Sequence, residues 1–273
     1  MTRTPEHSLP REAQARSRWR GNAIAFRTIL AREILRFLRI WMQTVLPPAI
    51  TMSLYFAIFG ALIGSRIGPM GGFSYMEFIA PGLIMMAVIN NAYSNVVSSF
   101  YGAKFQRHIE EMLISPVPNS LILLGFVGGG VARGLAVGGL VTVVALFFAD
   151  LRVVNPLTTV AVLLLTASLF SIAGLINGIF ANSFDDISIV PTFVLTPLTY
   201  LGGVFYSIDL LSPFWRQLSM LNPILYMVST FRYGILGVSD TPPGAALGFI
   251  AVFTVVLFGY ALWLLRRGVG IRQ

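Results

Sequence analysis

The side chains that usually carry chemistry are scarce in this sequence. Its only lysine is Lys104, followed by Phe105. A phosphate-cradling P-loop needs a glycine-rich turn ending in lysine beside serine or threonine, so no Walker-type nucleotide site is expected. Cysteine is absent, which excludes disulfides, zinc fingers, iron–sulfur clusters and thiol catalysis. His7 and His108, the only histidines, are too few and too far apart for a usual metal site. Glu110 and Glu111 invite an acid–base reading, but adjacent residues on a helix point about 100° apart, and no cleft-forming domain surrounds them.

Other polar residues fall inside apolar stretches. Arg133 follows the run Gly125, Gly128, Gly129 and Gly130, with Gly134 and Gly138 beyond it. Such glycines let membrane helices approach closely. An arginine in hydrocarbon costs at least ~2.5 kcal/mol, so it meets a partner or water. Arg133 therefore lines a route or snorkels to the interface. Asn90, Asn91, Ser94, Asn95 and Ser98 recur at helical spacing as one polar stripe. Polar stripes line conduits or bond helices together, and bonding is the commoner use. Pro191 and Pro197 should kink their helix, with Thr192, Thr196 and Thr199 able to bond the freed carbonyls.

The elements that position these residues follow from composition. Hydrophobic residues make up 56% of the 273 and charged residues 11%, against about 25% charged in a typical soluble domain. Mean hydropathy is +0.78. The surrounding solvent is lipid, and the fold class is an all-α integral membrane protein. Six stretches are long enough to cross a bilayer: 44–63, 78–98, 121–148, 157–180, 187–206 and 245–265. Residues 1–40 hold nine arginines against three glutamates. This excess abuts the first span, where it reads as an anchor near anionic lipid and not as a nucleic-acid footprint. With the N-terminus inside, the inner segments hold fourteen basic residues and the outer ones four, Arg66, Arg152, Arg216 and Arg232. Both termini are therefore expected in the cytoplasm.

The expected layout is a basic tail, 1–23, and one membrane domain, 24–273. Within 24–40, Arg32, Arg36 and Arg39 share one face, and Ile24, Leu30, Ile34, Leu35 and Leu38 the other. That pattern suits a helix lying in the interface, with Arg27 and Glu33 as exceptions. Residues 207–244, between the last two spans, read as a re-entrant or short-helix segment. The inner loop 101–119 carries Phe105, Ile109, Met112 and Leu113 at helical spacing before Pro116 and Pro118 stop the helix.

The runs FQRHIEEMLISPVPNSLILLGFVGGGVARG, DDISIVPTFVLTPLTYLGGVFYSIDLL and LNPILYMVSTFRYG resemble the type-2 ABC exporter permeases, from about Arg32 to the end of the chain. The resemblance implies a homodimer in the bacterial inner membrane working with two copies of a separate ABC ATPase. The cofactors, ATP and Mg, would belong to that partner. Phe105, Ile109, Glu110, Glu111 and Met112 would then couple to the ATPase, beside the amphipathic helix. Substrate would follow the dimer axis along the second and fifth spans, making Asn91, Asn95, Thr192 and Thr196 candidate pathway residues with Arg133. An ion-coupled secondary transporter is the alternative, but it wants mid-span carboxylates, and the acids sit at span edges. A lipid-acting membrane enzyme would need His, Asp, Glu or Ser converging at one depth, which is not seen.

Overall fold

The computed structural model describes residues 11–64, 66 and 68–270. Among these the chain is helical throughout, with a single isolated bridge between Met70 and Phe73. The all-α membrane class is correct. The first ten residues of the expected basic tail lie outside the described residues.

Helix α1 (Arg11–Arg39) is longer than the expected 24–40 segment. Two short helices, α2 (Trp41–Thr44) and α3 (Leu46–Ala57), run into a π turn at Ile58–Gly64 and make the first span. Pro47 and Pro48 are tolerated because they sit in the first turn of α3, where amides lack intrahelical partners anyway. The second span is α4 (Tyr75–Phe105), started by a reciprocal capping box between Ser74 and Glu77. It is followed by α5 (His108–Ile114), α6 (Asn119–Ala145) and α7 (Pro156–Phe180).

Among the described residues, five helical stretches are long and apolar enough to cross a membrane. The expected fifth of the six spans, 187–206, is not among them. It is broken into α8 (Asp186–Val190), a π turn (Pro191–Leu195) and α9 (Thr196–Tyr200). Two prolines that cannot donate explain the break. Thr196 donates to the Pro191 carbonyl at 2.9 Å and Thr199 to Leu195 at 2.6 Å, so two of the three threonines bond backbone here, but not the Ile187 and Phe193 carbonyls that the prolines leave without an amide donor. A 3₁₀ turn (Ile208–Leu210), α10 (Pro213–Met220) and α11 (Pro223–Leu236) then precede the last span, α12 (Pro243–Arg267). These short helices match the segment read from 207–244.

Helix α4 is central and buried along most of its length. Glycine decides how closely its neighbours approach. A Cβ placed on Gly174 of α7 would lie 2.6 Å from the Tyr93 carbonyl, and one on Gly134 of α6 would lie 3.0 Å from the Ala92 Cβ. Glycines 125, 128 and 129 of α6 face Ile29, Leu30 and Glu33 of α1 instead. The run therefore splits between two partners, as close-packing glycines do. By contrast α3 and α12 leave Leu54, Val252 and Val255 exposed, as helices facing lipid must.

Two ends of the bundle can be told apart. One carries the α4–α5 elbow, the end of α7 and α12, and α1. The other carries α10 and α11.

Candidate functional site

At the elbow, α4 stops because Arg107 turns left-handed, with φ +62°, an uncommon conformation outside glycine. The break separates residues expected to form one stripe. Phe105 stays on α4, 65% exposed, while Ile109 on α5 is fully buried. Met112 and Leu113 pack partly against the same small core as Ile109. Thus Ile109 holds α5 to the bundle, Phe105 and Glu111 are what the elbow presents, and Glu110 is half-buried. Ser115 donates to the Met112 carbonyl at 2.6 Å to finish α5.

The elbow is tied to the end of α7. Lys104 Nζ donates to the carbonyls of Ile179 at 2.6 Å and Ala181 at 2.8 Å. A cation on the free carbonyls of a helix C-terminus is favourable. The ring of Phe184 meets Tyr101 edge-on at 4.9 Å and Phe105 at 5.4 Å. The Asn182 amide, at 2.8 Å, and the Ser183 hydroxyl hold the Asp186 carboxyl below the ordinary carboxylate range. A cavity of about 290 Å³ opens between Lys104, Phe105, Arg107, Glu110 and Asn182. Nothing in the sequence reading foresaw the part played by Lys104 or Phe184, because their partners are backbone and ring faces far along the chain.

A second polar cluster joins α1 to α4. Glu33 is 1% exposed and accepts from Ser99 and, at 3.2 Å, from Arg32. Arg36 donates to both the carbonyl and the side chain of Asn95, at 2.9 and 2.8 Å. Its Nε lies 3.4 Å from Glu33, close enough for charge attraction but without hydrogen-bond geometry. The helix adds a third, packed face to the two expected ones. Ile29, Leu30, Glu33 and Phe37 form the packed stripe, while Ile24, Leu35 and Leu38 point outward. Glu33 is an anchor and not an exception, because Gly129 makes room for it.

Arg133 donates to Asn91 at 3.2 Å and more weakly to the Thr44 carbonyl at 3.4 Å. Asn91 and Asn95 are thus buried and bonded between helices of the same chain. Thr192 and Thr196 sit on the exposed side of the broken span, next to Phe193, which is 73% exposed.

At the opposite end Arg232 is 1% exposed. Its Nη1 pairs with Asp240 at 2.8 Å, Nη2 donates to the Gly203 carbonyl at 2.6 Å, and Nε reaches the Phe78 carbonyl at 3.3 Å. Its guanidinium stacks 3.9 Å above the Phe78 ring. Asp240 also accepts from Ser207 at 2.6 Å. Gly237, at φ +78°, makes the left-handed corner that brings Asp240 back. Asn222 caps α11 and donates to Leu198 at 2.5 Å. By its place in the sequence alone Arg232 reads as an outer-loop charge. The signal that pointed further was its place in a recognisable run beside an acid eight residues on.

The family model described as ABC-2 type transporter matches residues 24–236. The chain is 62% identical over 250 residues to the inner membrane transport permease YadH of Escherichia coli K12, covering 92% of this chain and 98% of that one. The same identity and coverage hold for the protein of that name in Shigella flexneri. Nodulation protein J of Rhizobium leguminosarum bv. viciae is 25% identical over 91% of this chain and 92% of its own.

Proposed function

Because the chain belongs to the ABC-2 type transporter family, we propose that it is the permease subunit of an ATP-driven exporter, coupled to a separate ATPase through the α4–α5 elbow. The observation that carries this reading is the elbow itself. It presents Phe105 and Glu111 outward, with Glu110 half-buried at the edge of the small cavity and Ile109 and Lys104 bracing it from behind. A buried brace with an exposed acidic and aromatic tip suits a surface that receives a push. The ATPase supplies ATP and Mg, and two copies of it serve two copies of the permease. Met112 supports the tip from its half-buried position.

The elbow end faces the cytoplasm of a bacterial inner membrane, on the support of the basic-residue asymmetry and of the relatives' printed name. Thr192 and Thr196 face the second copy across the route. Asn91, Asn95 and Arg133 back that route from within the chain, which makes them positioning residues more than contacts.

Purification in mild detergent should recover an ABC ATPase with the chain. The double variant Glu110→Ala/Glu111→Ala should reduce permease-stimulated ATP hydrolysis several-fold while membrane insertion is unchanged. Wild-type stimulation in that variant would refute the elbow as the coupling point. Transport in vesicles under an ion gradient alone, with neither ATP nor ATPase, would replace the proposal with an ion-coupled carrier.

A further inference from the structure

Helix α1 and the elbow end of α4 do not close against each other along their full length. Between them opens a cleft of about 1050 Å³, the size of a small-ligand site or larger. Four arginines of α1 line it, Arg27, Arg32, Arg36 and Arg39. Among the described residues its only acid is Glu33, already engaged by Ser99, Arg32 and Arg36. The cleft therefore carries a surplus of guanidinium charge whose orientation a buried carboxylate partly fixes. Its rim is apolar in the same place: Ile24 is 65% exposed and Leu35 60%. Its floor is open at Gly102, where an added Cβ would meet nothing within 4 Å.

Guanidinium forks match phosphate oxygens in geometry and charge. Apolar side chains beside them match hydrocarbon. We propose that this cleft binds the phosphate headgroup of an anionic membrane lipid, with an acyl chain laid over Ile24 and Leu35. Free phosphate would use the arginines but not the rim. A second copy of this chain is disfavoured as occupant because a two-fold contact would set like charges against like. The inference rests on the proposed placement of the elbow end at the membrane surface. It is independent of ATPase coupling, so either can fail without the other.

The test is native mass spectrometry of the chain reconstituted from an equal mixture of phosphatidylglycerol and phosphatidylcholine, counting lipids retained after detergent removal. Wild type should retain phosphatidylglycerol with at least about tenfold preference. The variant Arg27→Gln/Arg39→Gln should lose most of that preference, and Gly102→Leu should lose the bound lipid by filling the floor. If Gly102→Leu fails to fold, the arginine variant alone decides. Equal retention of both lipids, or wild-type preference in the arginine variant, overturns the proposal. So does full displacement by millimolar inorganic phosphate, which would mark a soluble-anion site. Because the chain has no native cysteine, Gly102→Cys gives a single thiol. Efficient Gly102→Cys homodimer cross-linking by a short reagent would show that a second copy covers the cleft, and would also overturn it.

Discussion

Arg232 and Arg36 are both arginines that pair with a buried carboxylate, and their surroundings differ. Arg232 is enclosed: one carboxylate, two carbonyls and an aromatic face take up its charge and donors. Arg36 keeps 32% of its side chain exposed and shares Glu33 with Arg32. Its Nε, the Asn95 amide nitrogen and Arg133 Nε have no hydrogen-bond partner. A fully satisfied buried network fixes one geometry, whereas a partly satisfied one has arrangements of similar energy open to it. The Arg232–Asp240 network is thus built to hold one geometry and the Arg36–Glu33 cluster to rearrange.

The comparison is broken most directly at Asp240. Asp240→Ala leaves Arg232 buried and uncompensated, with an expected loss of about 3–5 kcal/mol in unfolding measured in detergent. Adding Arg232→Met should restore much of it. A loss under about 1 kcal/mol would mean that the Arg232 network does not hold its end in one geometry. Glu33→Gln keeps the shape and a weaker bond to Ser99, and Arg36 can reach solvent. There we expect about 1.5–3 kcal/mol, and a result equal to or above that for Asp240→Ala would erase the contrast. Arg133→Leu removes two long hydrogen bonds and a desolvated charge, so stability should change by roughly 1 kcal/mol or less. Transport should nevertheless fall, and normal export would leave Arg133 as a packing residue. The smallest effect is expected at Glu110→Ala/Glu111→Ala, within about 0.5 kcal/mol in stability. A large loss of stability there would make the elbow structural.

The membrane class and all but one of the expected spans were legible because hydrophobic length is a local property of the chain. So was the role of glycines 125–138, since small residues in a span have few uses other than close packing. The broken span was half legible. Pro191 and Pro197 announced a kink, but whether a π turn or a loop absorbs it depends on neighbours. On α1 the inward turn of Glu33 was not legible, because a helical wheel ranks it as polar and only the missing side chain of Gly129 reveals that the carboxylate goes inward. The elbow stripe was misread for a similar reason, since no local pattern signals that Arg107 turns left-handed. Arg232 could be paired with Asp240 only once the chain was folded, because its other partners, Phe78 and Gly203, are distant in sequence.

Helix α4 has 31 residues, so it is about 46 Å long against a hydrocarbon core of about 30 Å. One end touches Arg232 through the Phe78 carbonyl and ring, and the other ends in Phe105. It behaves as a pushrod without slack, since glycine-close neighbours on α6 and α7 leave it no sideways play. On the proposed coupling, a thrust delivered at Phe105 would reach Arg232 and α11 as displacement, and the stretch 191–197, with its two prolines and π turn, is where the bundle would bend.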